Sequence, residues 1–191
     1  MPRDRPDPGR PPRRDAALNT ERLLAAAVRA GLAEGRHVPL AQIAAEAGVG
    51  VGTLYRRYPN REALVEALQV RASSMLADIA ERALADGGTG LDSVERFLTQ
   101  SFAVRDDLVL PLHGAPMPTD PEAVRLRDRV RDLVTAIVER GHADGTIRTD
   151  VTAWTVVRFG SLLAQPMSDV PGWDETAAEQ QAVFLRGIRQ L

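Results

Sequence analysis

The sequence predicts an all-α protein. Three observations lead there. Alanine and leucine dominate an apolar fraction of 44 %, and aromatics make up only 4 %, so a packed core is built mostly from Leu, Val and Ala. Apolar residues recur at three- and four-residue spacings along most of the chain, the pattern of one buried helix face. Clusters of strand-forming residues are few. At 191 residues the chain holds one large domain, or a small domain joined to a larger one.

The first helix is expected from about Asn19 to Ala33, with Asn19 as its cap and Glu21 in the positive first turn. Leu24, Ala27, Val28, Gly31 and Leu32 make its apolar face, and Gly35 marks its end. Leu40 to Ala47 reads as a short second helix with the stripe Leu40, Ile43, Ala44, Ala47, closed by Gly48, which tolerates positive φ. A third helix spans Val51 to Tyr58 and stops at Pro59. Asn60 then caps a long fourth helix that keeps helical spacing to Gly87-Gly88.

Beyond that breaker, Leu91 to about Val104 is a helix and Arg105 to Leu112 a short one. His113 to Pro118 is a loop. Asp120-Pro121-Glu122 is a strong helix start, with a capping carboxylate, proline at the first helical position and an acid behind it. That helix runs to about Gly141. Asp150 is expected to cap another reaching Gln165, Pro166 to Trp173 is a loop, and Asp174 opens the last helix.

The chain has no cysteine, which excludes disulfides and thiolate metal sites. The three histidines, His37, His113 and His142, lack paired ligand spacing, so neither a metal nor another cofactor is expected. No apolar run approaches the ~20 residues that span a bilayer, and the Pro- and Arg-rich N-terminus is no secretory signal, so a cytoplasmic location is expected. No glycine-rich phosphate loop, nucleophile elbow or metal motif argues for an enzyme; Gly48 to Gly52 opens a helix without a preceding strand.

Net charge is −2, against a nucleic-acid binder in which the whole surface takes part. Its distribution differs between the two parts of the chain. Residues 1–68 carry 11 arginines against 8 acids, and residues 69–191 carry 13 against 18. The first part is the one suited to a polyanion. Residues 1–16, with five prolines and five arginines, read as a disordered basic arm that is either a solvated tail or lies along DNA. Residues 17–62 form the small domain and residues 63–191 the larger.

Residues 40–58 are helix, tight turn, helix. Ala44 is small where the helices cross, Gly48 turns the chain, and Val49 and Leu54 lock one helix across the other. This is the pattern of a helix-turn-helix, whose second helix enters a major groove. The same spacing also fits a plain helical hairpin in a bundle.

The run from Ile43 to Val49, then Gly52-Thr53-Leu54-Tyr55-Arg56-Arg57-Tyr58, then Asn60-Arg61-Glu62-Ala63-Leu64, resembles the DNA-binding domain of the TetR family of bacterial transcriptional regulators over about residues 18–68. The resemblance implies that Leu40, Ala41 and Gln42 meet DNA. It implies that Val51 and Gly52 approach base edges, that Thr53 and Tyr55 meet phosphate, that Arg57 lies near the backbone, and that Arg61 clamps phosphate from the fourth helix. Arg56 is a further candidate contact. Leu54 and Tyr58 read as core. Pro39 stands where many relatives carry a capping threonine, so that phosphate-binding hydroxyl is missing. Gly50 and Val51 offer bases little hydrogen bonding, which leaves a share of specificity to DNA shape or to the arm.

For the larger domain the resemblance implies a homodimer and a small-molecule effector. Positions for a four-helix interface between two copies are Trp154, Val157 and Leu162 on one helix, with Ala178, Ala182, Leu185 and the charged Arg189 on the last. Candidates to line a pocket are Phe97, Phe102, Leu108, His113, Met117, Val130, Val134, Ile137, Phe159, Leu163 and Met167. Each of these also fits ordinary core packing. The function expected is a ligand-responsive regulator, a repressor acting on a palindromic operator; the alternative is a DNA-binding regulator controlled by a protein partner or by no effector.

Overall fold

The structure, a computed structural model, describes residues 13–34, 37–112, 116–165 and 171–190, and the described residues form nine helices. They are α1 (Arg13–Glu34), α2 (Leu40–Glu46), α3 (Val51–Arg57), α4 (Arg61–Ala85), α5 (Gly90–Ala103), α6 (Arg105–Leu112), α7 (Pro121–Ala143), α8 (Ala153–Leu163) and α9 (Trp173–Ile188). Spatial contacts divide the chain into two compact units, Met1–Arg61 and Glu62–Leu191.

The first unit is built on α1, α2 and α3. α1 starts six residues before the expected cap, so Asn19 lies inside it and residues 13–16 are helical rather than part of a disordered arm. Pro11 and Pro12 stop a helix, but the Arg, Ala and Leu that follow favour one, and a composition averaged over 16 residues hides that change. Residues 1–12, the rest of the expected arm, and Gly35, the expected end, lie outside the described residues. Leu23, Leu24, Ala26, Ala27, Val28 and Ala30 are buried, whereas Leu32, expected inside, is exposed. Val38, Ile43, Ala44, Leu54 and Tyr58 complete the unit's core.

The α2–α3 turn closes by a Schellman motif. Gly48 sits at φ +67°, its N–H reaches the Ala45 carbonyl at 3.1 Å, and the Val49 N–H reaches Ala44 at 3.0 Å. α3 ends at Tyr58, whose extended backbone (φ −128°, ψ 90°) suits a residue before proline.

The second unit has a core drawn from Ile79, Ala80 and Ala83 of α4, Val94, Phe97 and Leu98 of α5, Val130, Val134, Ile137 and Val138 of α7, Ile147, Val156 of α8 and Ile188 of α9. Phe159 and Phe184 stack at 3.9 Å between ring centroids and pack on this cluster. Asp120 caps α7 through the backbone N–H groups of Glu122 and Ala123, at 2.9 and 3.0 Å, with Pro121 behind it. Two other starts differ from expectation. α5 is capped by Thr89 in a reciprocal box with Asp92, and α8 by Thr152 with Thr155; Asp150, expected to cap α8, pairs instead with Arg148. The Arg148 guanidinium competes for that carboxylate, and the Thr152 hydroxyl stands closer to the first turn. An antiparallel bridge between Ile147 and Arg189 ties the end of α9 back: the Arg148 N–H donates to the Ile188 carbonyl and the Gln190 N–H to the Thr146 carbonyl.

Candidate nucleic-acid interface

α3 presents two faces. Leu54 is fully buried against the first unit's core, and Tyr58 joins it. Gly52 and Arg56 lie on the opposite side and are exposed, as are Arg57 and, flanking them, Val51 and Tyr55, which are 42 % and 47 % exposed. Unlike Gly48, Gly52 has an ordinary negative φ. A Cβ placed on it would meet its nearest neighbour, the Arg56 guanidinium, at 3.8 Å, an ordinary contact. Neither backbone strain nor internal packing calls for a glycine there, although glycine within a helix costs about 1 kcal/mol relative to alanine.

Side chains around α3 are partly engaged with one another. The Arg56 guanidinium donates to the Thr53 hydroxyl at 3.0 Å, and the Arg57 guanidinium stands 6.0 Å from the Tyr58 ring centroid. At the start of α2, Leu40 is half-buried and Ala41 exposed; Pro39 precedes them without any side-chain cap. The Gln42 amide nitrogen donates to Glu34 at 2.6 Å and to Glu46 at 3.3 Å. The Arg61 guanidinium donates to the Val38 carbonyl. Of the α3 candidates, Val51, Gly52, Tyr55, Arg56 and Arg57 are exposed and Thr53 is half-buried. The structure gives Gln42 and Arg61 partners inside the protein, in a role that their positions in the sequence do not announce. A Gln42–Glu46 pair is legible as an i, i+4 spacing on a helix, but Glu34 and Val38 come close only through the packing of α1 and the start of α4's chain.

In the second unit several residues proposed for a pocket serve other purposes. Phe97, Val130, Val134 and Ile137 are core, and Leu108 and Leu163 are buried. Phe159 is taken by its stack on Phe184, and the Arg105 guanidinium stands 4.3 Å over the Phe102 ring. Met117 is 68 % exposed, with the Arg127 guanidinium 2.9 Å from its sulfur. His113 and Met167 lie outside the described residues. An open groove of about 740 Å³ runs along the outer face of α7, lined by Pro121, Val124, Asp128, Arg129, Leu133 and Ala136 among others, and none of the eleven pocket candidates lines it. Periodicity points Phe97, Val130, Val134 and Ile137 inward but carries no signal of whether the space they face is already filled.

Of the residues proposed for the interface between copies, Val157 and Leu185 pack on their own core. Trp154 and Leu162 of α8 are exposed, as are Ala178, Ala182 and Arg189. Val183, one position from Ala182 and not anticipated, is exposed as well. The Arg158 guanidinium lies over the Trp154 ring at 5.2 Å. Among the described residues no cluster of His, Asp or Glu has the makings of a metal site, and no helix is long and apolar enough to cross a membrane.

An exposed second helix set across a first by a Gly48 turn, ahead of an all-helical larger unit, defines a helix-turn-helix DNA-binding protein. The family model for bacterial regulatory proteins of the tetR family matches residues 23–68. The chain is similar to a TetR transcription regulatory protein from Mycobacterium vanbaalenii, with 27 % identity over 94 % of this chain and 99 % of that one and a TM-score of 0.66. It is similar to a TetR transcriptional regulator from Streptomyces coelicolor, with 29 % identity over 90 % and 98 % and a TM-score of 0.60. A tetR-family regulatory protein from Rhodococcus RHA1 shares the fold at 17 % identity, over 91 % of this chain and 98 % of that one, with a TM-score of 0.72. No curated protein matches the sequence. The family model thus covers the helix-turn-helix part of the chain, and the similarity to these TetR regulators extends over most of its length.

Proposed function

We propose that this protein is a ligand-responsive transcriptional repressor, acting in the cytoplasm as a homodimer on a palindromic operator, with α3 in the major groove. The observation that carries the DNA part is the exposure on α3 of Val51, Gly52 and Tyr55 while Leu54 is buried. A backbone approaches base edges most closely at a glycine, and Gly52 answers to no internal need for one. Val51 suits a thymine methyl, while Thr53, Tyr55 and Arg57 suit phosphate, and Leu40 and Ala41 bring the start of α2 to the backbone. Phosphate contacts supply affinity and register more than sequence information, so binding weakens steeply with salt.

Selection from random duplex DNA with the full-length protein tests this. The expected product is a palindrome whose half-sites are about one helical turn, roughly 34–36 Å, apart. Failure to enrich any sequence, or an affinity flat between low and moderate salt, would sink the proposal.

The effector part rests on the resemblance to TetR regulators. A small molecule held in the second unit prefers a dimer whose two α3 helices are wrongly spaced, and shifts the population off DNA by its differential affinity. α4 starts with Arg61 in the first unit and continues through the second, which suits it to carry that change. A screen for compounds that release the operator tests it; a compound bound by the second unit with operator affinity unchanged would count against it. The packing of Phe97, Val130, Val134 and Ile137 into the core favours a second reading, control by a protein partner or by no effector.

A further inference from the structure

We infer that Arg61 and Gln42 act inside the protein, as positioning residues that hold the start of α2 in place of its missing cap, rather than as grips on DNA phosphate. The inference rests on the DNA-binding reading above for its consequence, and on geometry within the first unit for its substance.

α2 has seven residues and begins behind Pro39, whose ring carries no hydrogen-bond acceptor; no side chain caps the helix. So short a helix has little stability of its own and takes its orientation from what holds it. Two polar braces do so. Arg61, the first residue of α4, donates from Nη2 to the Val38 carbonyl, one residue before the cap. The Val38 side chain is buried, so that carbonyl is fixed to the core. From the other side Gln42, in the first turn of α2, donates through Nε2 to Glu34 at the end of α1 and to Glu46 on its own helix.

The chemistry of the Gln42 contacts settles which way its amide points. An ionised carboxylate only accepts, so the amide nitrogen faces Glu34 and Glu46 and the carbonyl oxygen faces elsewhere. A phosphate, itself an acceptor, finds no donor in that oxygen, and the two carboxylates repel it. For Arg61 the discriminating property is charge. A backbone carbonyl is satisfied by any well-placed N–H, whereas a phosphate contact draws its strength from a cation that releases counterions.

The experiment compares full-length wild type with Arg61→Ala, Arg61→Gln and Gln42→Ala by two measurements. The first is amide hydrogen exchange over residues 42–47 in the free protein. Arg61→Ala and Gln42→Ala are expected to speed exchange there, and Arg61→Gln, which keeps a neutral donor, to restore it. The second is affinity for the selected operator across a salt series. Arg61→Ala is expected to weaken binding about ten-fold with an unchanged salt slope, and Arg61→Gln to recover most of that affinity at the same slope. The inference is overturned if Arg61→Gln binds no better than Arg61→Ala and both show a salt slope shallower by about 1.8, the share of one neutralised phosphate from each protomer of the dimer. Unchanged exchange in Arg61→Ala overturns it too. If wild type selects no DNA sequence, the DNA-binding proposal fails by itself, and the exchange measurement still decides whether Arg61 and Gln42 brace α2.

Discussion

Gly90 and Gly141 pack so closely that a Cβ on Gly90 would stand 2.1 Å from the backbone nitrogen of Gly141. This is where the start of α5 meets the end of α7. Asp144 adds to the junction by accepting the Gly90 N–H at 2.7 Å, and Thr146 by accepting the Leu91 N–H at 3.2 Å. Gly141 is as confined on its other side, where its own Cβ would fall 2.3 Å from Ile147.

The neighbour that a side chain at position 90 would strike is backbone, which cannot rotate away. Gly90→Ala is therefore expected to force α5 and α7 apart and cost about 3 kcal/mol, at the upper end of overpacking effects. For a chain of this size that corresponds to a fall of roughly 6–12 °C in the thermal midpoint. A scanning calorimetry trace indistinguishable from wild type would refute the close junction.

Gly52→Ala separates folding from binding. The position has room for a methyl group and a helical backbone, so stability is expected to hold or rise by about 0.5–1 kcal/mol. Operator affinity is expected to fall, because the added carbon stands between α3 and the groove. Denaturation and gel-shift titration of the same preparation check both halves. A variant that is more stable and binds as well as wild type would show that nothing approaches Gly52.

The α5 capping box sets an acid limb on stability. The Thr89 backbone N–H, and after it the Thr89 hydroxyl, hold the Asp92 carboxyl below the usual carboxylate range, against a smaller opposing effect of burial. With the folded value depressed, the folded state takes up its proton less readily than the unfolded chain. The stabilisation is present above the unfolded value, near pH 4, and is lost as pH falls through the folded one. Asp92→Asn is expected to make acid unfolding shallower below about pH 4, and Thr89→Ala to cost about 1 kcal/mol at neutral pH. Circular dichroism across an acid titration reads both; identical acid limbs for wild type and Asp92→Asn would exclude the box as their source.

The exposed apolar positions on α8 and α9 bear on self-association. Leu162 is 69 % and Val183 53 % exposed, and burial of such side chains between two copies is worth about 1.5–3 kcal/mol each. Leu162→Glu and Val183→Glu are each expected to yield monomers in sedimentation experiments and to weaken operator binding, while Leu185→Glu, aimed at the protein's own core, is expected to unfold the second unit. Dimers that persist in both surface variants would place the interface elsewhere.

Local signals carried much of the fold. Asp120-Pro121-Glu122 announced α7, Gly48 announced the turn before α3, and Leu54 and Tyr58 were legible as core from their place behind that turn. The α5 start was not read from the sequence: Thr89-x-x-Asp92 is a capping pattern of two side chains three residues apart, and the apolar stripe pointed to Leu91 instead. The ends that differed did so where local signals competed. Asn19 looks like a cap but sits in a run of good helix formers, and Asp150 has an arginine two residues away that claims it.

The sequence by itself determined an all-helical chain and the helix, tight turn and helix of residues 40–58, because each of these follows from residues a turn or two apart. Only the tertiary structure decided that Phe97, Val134 and Ile137 fill a core, that Leu185 faces its own chain while Val183 faces out, and that Arg61 and Gln42 hold α2 from either side. Periodicity says that a side chain leaves the solvent-facing stripe. What it meets instead depends on which distant element stands opposite, and that is a property of the packed fold.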